Sequence, residues 1–266
     1  MKKKVLIVIP TYNGERHIRE TIESCLSQSY KNISIIVIDD GSTDSTKSIL
    51  KEFKNKIQII INENNIGLPK SINKVVLNHE SDFFIYLGHD DLLPANHVEI
   101  IMKEFSPEIV AVHCNSKEIN DRGEVFSFTK NNFEQFYKTN NIMHELSLNN
   151  FISVIGMMIR TSTFKEIKGW EEYYNLFGEW LLYIKLANNG KFKYTDNTYA
   201  YYRKHDNNIS KTLYSKSKLK DFYLYKQKCR KLAFRYNNLN LLKIVKFNYY
   251  YYRDFLKYLK YLIIAK

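Results

Sequence analysis

The sequence predicts an α/β fold: a mostly parallel central sheet with flanking helices, carrying a basic helical extension at its C-terminal end. Three observations predict it. Short unbroken apolar runs alternate with segments of helical period through the N-terminal half. Several of those runs end in polar or acidic residues, and the excess of positive charge is confined to the end of the chain. Strand–helix alternation of this kind calls for parallel strands with crossover helices on both faces.

Lys4–Ile9 is a continuous apolar run ending at Pro10, as expected of a parallel strand buried on both faces. Glu15–Ser29 follows with Ile18, Ile22, Cys25 and Leu26 at helical spacing. Ile33–Ile38 is the second strand and runs into Asp39-Asp40-Gly41. Ser42–Phe53 is the second helix, with Ser42 or Thr43 as its cap. Ile57–Ile61 and Gly67–Asn78 form the third strand and helix, and Phe83–Leu87 the fourth strand, closed by Gly88-His89-Asp90-Asp91. From Asn115 to Asn150 the pattern is irregular. Val154–Arg160 reads as a strand before Thr161–Lys168. Gly178–Asn189 is a helix with Trp180, Tyr183, Ile184 and Ala187 on its apolar face, and Tyr194–Arg203 is a last strand with His205 just beyond. Open α/β sheets bind ligands at the carboxyl ends of their strands. Thr11, Tyr12, Asn13, Asp39, Asp40, Asp90 and Asp91 therefore mark the expected site edge.

At 266 residues, 44% apolar and 26% charged, the chain can bury a large core. No apolar stretch approaches the roughly 18–20 residues that span a bilayer. The run Val5–Ile9 is too short for a signal peptide. Cys25, Cys114 and Cys229 lie far apart, without disulfide or zinc spacing, so a cytoplasmic setting is expected. Residues 211–266 hold 15 Lys and Arg against 2 Asp and Glu, a net of +13, which leaves the preceding 210 residues at −1. In that segment Leu242, Val245, Tyr249, Tyr252, Leu256, Leu259 and Ile263 recur at spacings of three and four, an apolar stripe between lysines. Such a helix either packs its stripe on the body or lies on an anionic membrane. Basic charge also attracts nucleic acid, but no nucleic-acid motif accompanies it, and none is expected as a partner. Neither GxGxxG nor GxxxxGK[ST] occurs, which argues against dinucleotide and P-loop chemistry. A diphosphate held here would need a divalent cation on carboxylates instead.

Six segments in order carry a resemblance: Ile9-Pro10-Thr11-Tyr12-Asn13, Ile36–Asp44 (IVIDDGSTD), Asn65–Asn73 (NIGLPKSIN), Asp90-Asp91, Glu179-Trp180, and Tyr202–Ser210 with its Arg-x-His. Together they resemble the family 2 inverting glycosyltransferases of bacterial cell-envelope polysaccharide synthesis, over residues 4–210. The resemblance implies a Rossmann-like glycosyltransferase-A fold with a nucleotide-binding half (1–115), an acceptor half (116–210) and the helical tail (211–266) outside it. It implies a UDP-sugar donor, a Mn or Mg ion and a glycan or lipid-linked acceptor, and the basic tail adds the expectation of peripheral contact with the inner face of the cell membrane. Pro10 and Tyr12 would line the nucleotide, Tyr12 stacking on uracil. Asp40 would accept from the uracil N3–H, for which an acceptor-only carboxylate is suited. Asp91 would bind the metal and Asp90 the ribose or the metal. His205 would be a further metal ligand or diphosphate donor, while Lys70 and Arg203 would pair with phosphate oxygens. Glu179 would be the general base.

Each residue also has an ordinary structural reading: Tyr12 half-buried, Asp40 capping a turn, the Asp pair capping a helix, Glu179 favoured in a first helical turn. The chain departs from the family pattern twice. Gly88 stands where the family often has the first Asp of Asp-x-Asp-Asp, and Glu179 fills the column of the aspartate that usually precedes Trp. Two other functions compete: a nucleotide-sugar-binding protein without transferase activity, and a membrane-associated adaptor acting through its tail.

Overall fold

The computed structural model describes residues 2–128, 142–206, 208, 219–236 and 241–264. The elements are β1 (Val5–Thr11), α1 (Ile18–Leu26), β2 (Ile33–Asp39), α2 (Thr46–Glu52), β3 (Gln58–Ile61), α3 (Leu68–Val76), β4 (Phe83–Tyr86) and α4 (His97–Lys103). They continue with β5 (Ile109–Ile119), β6 (Val125–Phe128), α5 (Ile142–Leu148), β7 (Met158–Arg160), α6 (Thr161–Glu166), a 3-10 segment (Glu172–Gly178), α7 (Glu179–Ala187), β8 (Lys191–Arg203), α8 (Leu219–Arg235) and α9 (Leu241–Ile264).

The strands form one sheet in the order β3-β2-β1-β4-β7-β5-β6, with β8 paired to β5. β1 runs parallel to β2 and β4, β2 to β3, and β5 to β8. β7 lies antiparallel between β4 and β5, and β6 antiparallel on β5. All strands but β6 and β7 therefore point the same way. Side chains alternate between two buried layers: Leu6, Val8, Ile36 and Ile38 face one, and Val5, Ile7, Ile9, Ile35 and Val37 the other. That is why these strands read as unbroken apolar runs.

Three expectations are corrected. The stretch from Asn115 is not irregular: β5 runs on to Ile119, with β6 and α5 after it, although 129–141 lie outside the described residues. Only Met158–Arg160 of the expected Val154–Arg160 strand is extended, and it runs antiparallel. The residue before α2 is Ser45, not Ser42 or Thr43. Ser42 and Thr43 are used elsewhere, bonding to Asn13 across the site edge.

The C-terminal segment belongs to the body. Tyr225, Cys229 and Ala233 of α8 are buried in the same cluster as Trp180, Leu181 and Ile184 of α7. Arg230 donates from Nε and Nη2 to the Leu148 carbonyl at the end of α5 (2.9 and 2.8 Å), and from Nη1 to Asp254 of α9 (2.6 Å). Lys226 also reaches Asp254, at 2.9 Å. Burial opposes the charge on Asp254, but the Lys226 hydrogen bond and the Arg230 charge outweigh it and hold the carboxyl below its usual range. α9 thus turns Phe247 and Asp254 inward, not the stripe the spacing suggested. Val245, Tyr249, Tyr252 and Leu256 are 60–63% exposed; the Leu242 and Ile263 side chains lie outside the described residues. Among the described residues no helix is long and apolar enough to cross a membrane.

Candidate active site

β1 and β2 end level, Thr11 opposite Asp39, so Tyr12 and Asp40 leave the sheet side by side. The two loops are stitched together: the Asn13 N–H donates to Ser42 Oγ and the Thr43 N–H to Asn13 Oδ1, both at 2.9 Å. Asn13 takes φ 51°, a left-handed conformation that asparagine tolerates. Tyr12 stands at the mouth, 46% exposed, and Pro10 is half-buried behind it. Asp40 lies below, buried, where Oδ1 accepts from Asn62 Nδ2 (2.9 Å) and the Ile66 N–H (3.0 Å), and Oδ2 from the Gly67 N–H (2.9 Å). A carboxylate has about four acceptor sites, and three are filled. The residue expected to read a base is first the post that holds the 62–67 loop. Gly41 sits at φ 80°, and a Cβ there would meet the backbone of Asn64 and Asn65 at 3.0 Å, so only glycine lets the two loops close.

The second acidic loop follows β4. Leu92 and Tyr201 exchange backbone hydrogen bonds (3.1 and 2.9 Å), which ties this loop to the end of β8. The Arg203 N–H donates to Asp91 Oδ1 at 3.0 Å. Its guanidinium is fully buried: Nε bonds the Asp90 carbonyl (2.9 Å), Nη1 the Asn120 and Asp121 carbonyls (2.9 and 3.1 Å), and Nη2 pairs with Glu20. Arg203 therefore cannot pair with a phosphate in this arrangement; it clamps the loop. His205 Nε2 lies 2.9 Å from Asp90 Oδ2, as a partner of that carboxylate and not as a free ligand, and Asn208 Nδ2 reaches the same oxygen at 3.3 Å. Ile209 and Ser210 lie outside the described residues. Burial, then the charge of Asp90, pushes the Asp91 carboxyl well above the usual range, against the pull of the Arg203 N–H.

Asp90 Oδ1 and Asp91 Oδ2 converge on Gly88: a Cβ there would sit 2.8 and 3.0 Å from them. A side chain at this position, where the resemblance expects the leading aspartate, would thus meet both carboxylates. Two carboxylate oxygens brought together at one glycine are hard donors of the kind that suit a Mg or Mn ion. Among the described residues no group of three or more His, Cys, Asp and Glu is arranged to hold a metal.

Glu179 opens α7. Its first turn is pinned by Trp180 Nε1 donating to the Leu146 carbonyl and the Leu181 N–H donating to Tyr225 Oη, both at 2.9 Å. Burial pushes the Glu179 carboxyl up to about 7. Tyr86, the last residue of β4, links the two halves: its hydroxyl is pushed well above the usual range by burial, then by the charges of Glu179, Asp91 and Asp90. The charges of Glu179 and of the acidic pair thus all act on one buried phenol. Asn73 couples the halves a second time, donating to the Trp170 carbonyl (2.8 Å) and Glu172 (3.0 Å) and accepting from the Trp170 N–H (2.8 Å). Lys70 is exposed on α3, and it is Lys74 that reaches inward, to Asn62 Oδ1 at 2.6 Å. Tyr86, Glu20 and Tyr225 escaped the sequence reading. Tyr86 alone had a visible signal, a polar tip closing an apolar strand.

This sheet, with acidic loops at one edge and helices on both sides, is the glycosyltransferase-A type of fold. TarS of Staphylococcus aureus, solved in complex with UDP-GlcNAc, superposes with a TM-score of 0.69 at 20% identity, over 91% of this chain and 69% of that one. The mannosyltransferase PcManGT of Pyrobaculum calidifontis, solved with GDP-Man and Mn2+, gives 0.60 at 13% identity, over 100% and 86%. The chain belongs to glycosyl transferase family 2, whose model matches residues 6–167. An uncharacterized glycosyltransferase of Rickettsia typhi is 31% identical over 191 residues, which is 69% of this chain and 59% of that protein. Glycosyltransferase GlyA of Streptococcus pneumoniae is 34% identical over 103 residues, 38% of this chain and 15% of GlyA. The match thus spans 59% of the length of the Rickettsia typhi relative and 15% of GlyA.

Proposed function

We propose that the chain is a metal-dependent inverting glycosyltransferase that moves a sugar from a UDP-sugar to a glycan or lipid-linked acceptor of cell-envelope polysaccharide, such as O-antigen, capsule or lipooligosaccharide. It would work in the cytoplasm, in peripheral contact with the inner face of the membrane. The observation that supports this reading is that the carboxyls of Glu179, Asp91 and Asp90 all act on the buried Tyr86 phenol at the carboxyl end of β4. In a single displacement Glu179 accepts the acceptor hydroxyl proton as that oxygen bonds to the anomeric carbon. The bond from that carbon to the diphosphate breaks on the opposite side, with inversion. A carboxyl raised to about 7 is matched to this task at neutral pH. Asp90 and Asp91 would hold the cation, which when bound supplies Lewis-acid compensation for the departing diphosphate. Tyr12 would stack on the base, with Pro10 lining the pocket and the last acceptor site of Asp40 open to the ring N–H. Lys70 would meet the phosphates from α3, and His205 would act by orienting Asp90.

The experiment is UDP release from a panel of UDP-sugars with Mn2+, comparing the parent chain with Glu179→Gln. Turnover should fall by about two to four orders of magnitude with UDP binding retained. The parent rate should rise with pH through about 7, the value of the Glu179 carboxyl. Equal turnover in both proteins would remove Glu179 as the base. UDP-sugar binding without any release would favour the binding protein instead. The same substitution should stabilise the fold above that pH. An acid raised in the folded state loses stability as pH rises from 4.5 to about 7, and glutamine removes that loss of about 1–3 kcal/mol.

A further inference from the structure

We infer that the outward face of α9 docks on an anionic lipid surface. This deepens the membrane contact in the proposed function and rests on that reading only for its purpose, since the face is defined without the donor site. Val245, Tyr249, Tyr252, Leu256 and Leu259 form one line along the 24-residue helix and are 62, 63, 60, 63 and 37% exposed. Their exposure is built in. Asp254, held by Arg230 and Lys226, fixes the rotation of α9 and turns this line away from the core. Exposed Lys246, Lys257 and Lys260 border it. The single acid of α9 is the buried Asp254, so the outer face presents apolar groups, phenols and cations and no carboxylate.

An aliphatic and aromatic line with lysines at its margins suits a helix lying in the headgroup region: the apolar groups enter the acyl boundary and the lysines meet phosphates. An adjoining cleft of about 350 Å³ on α8 repeats the chemistry, with Leu224 and Leu232 below Lys228, Lys231 and Arg235. Its wall residue Gln227 donates to the Tyr251 carbonyl of α9. A second copy would bring lysines against lysines, and nucleic acid would leave Val245, Leu256 and Leu259 without a partner.

The test is co-sedimentation of the full chain, without any sugar nucleotide, with vesicles of phosphatidylcholine alone or mixed with phosphatidylglycerol. Binding should require phosphatidylglycerol and weaken with salt. The triple variant Tyr249→Ser, Tyr252→Ser, Leu256→Ser should lose about tenfold or more, and so should Lys246→Gln, Lys257→Gln, Lys260→Gln, which leaves the apolar line intact. Tyr173→Ser, 84% exposed on the 3-10 segment, should bind as the parent does. Absence of binding, equal binding to neutral vesicles, or variants that bind like the parent would overturn the inference. So would a dimer in solution that the face variants dissolve, or retention on duplex DNA in place of vesicles. Failure here leaves UDP release untouched, and failure of UDP release leaves vesicle binding untouched.

Discussion

Two Asp-Asp pairs close loops on the same sheet edge, and the fold treats their charge in opposite ways. Asp39 accepts from the Ser42 N–H through Oδ1, with its buried Oδ2 left without a hydrogen bond, while Asp40 accepts from Asn62, Ile66 and Gly67 and joins two loops. Asp90 and Asp91 also have donors, from His205, Asn208 and Arg203, but turn one oxygen each toward Gly88. There burial and repulsion lift Asp91 well above the usual carboxylate range. The same dipeptide is thus a strut in one loop and a store of unfavourable charge in the other. The difference lies in which donors reach each pair: the loop 22–27 residues further on for Asp40, and the end of β8 with the residues after it, 112–118 residues on, for Asp90 and Asp91.

The largest effect that tests this contrast is expected at the strut. Asp40→Ala removes three hydrogen bonds to a charged acceptor, leaves the Ile66 N–H without its acceptor and leaves the Gly67 N–H only Asn65 Oδ1. The loss should be about 3 kcal/mol or more, read from urea unfolding. Asp40→Asn should recover only part, because one amide N–H would face a backbone N–H. A stable Asp40→Ala that fails only in nucleotide binding would show that the residue serves the base alone, and the contrast would break.

That result also bears on what a sequence can disclose. The parallel half of the sheet was legible because strands buried on both faces are written in side chains: KVLIVI and ISIIVI cannot be much else. The site residues were legible as letters, but several roles were not. Arg203 spends its guanidinium mainly on the carbonyls of Asp90, Asn120 and Asp121, and a carbonyl belongs to every residue, so no side-chain pattern announces the clamp. β5 escaped because its second half, Asn115–Ile119, is polar and is made a strand by pairing with β8. On α9 the apolar periodicity was real but pointed outward, since the buried Asp254, Arg230 and Lys226 cluster set the rotation more strongly than an apolar stripe.

A middle-sized effect is expected at the unbalanced pair. Asp91→Asn keeps the acceptor for the Arg203 N–H, removes the repulsion and turns an N–H toward Asp90 Oδ1. The raised carboxyl makes the folded state hold its proton to higher pH than the unfolded chain, where the usual value is 3.8. Stability therefore declines as pH rises through that window, and the asparagine recovers it at neutral pH but not in acid. Thermal melting in EDTA should show a higher melting temperature for the asparagine variant at pH 7 and no difference at low pH, together with loss of any Mn2+-dependent gain. A destabilised Asp91→Asn would mean that the two pairs are alike.

The smallest effect separates space from charge at Gly88. Alanine places a Cβ about 3 Å from both converging oxygens, and these can retreat slightly because each aspartate is anchored through its other oxygen or its backbone. The cost should be about 1 kcal/mol. Aspartate adds the same Cβ and a third negative charge, restoring the family pattern at a point already rich in repulsion. In EDTA Gly88→Asp should melt below Gly88→Ala by about 1 kcal/mol or less, a surface-dependent electrostatic increment. Added Mn2+ should close that gap, because a cation seated between the carboxylates rewards the extra charge that water alone does not. If Mn2+ raises both variants equally, the cation does not sit at Gly88, and the convergence of Asp90 and Asp91 there is only a consequence of packing.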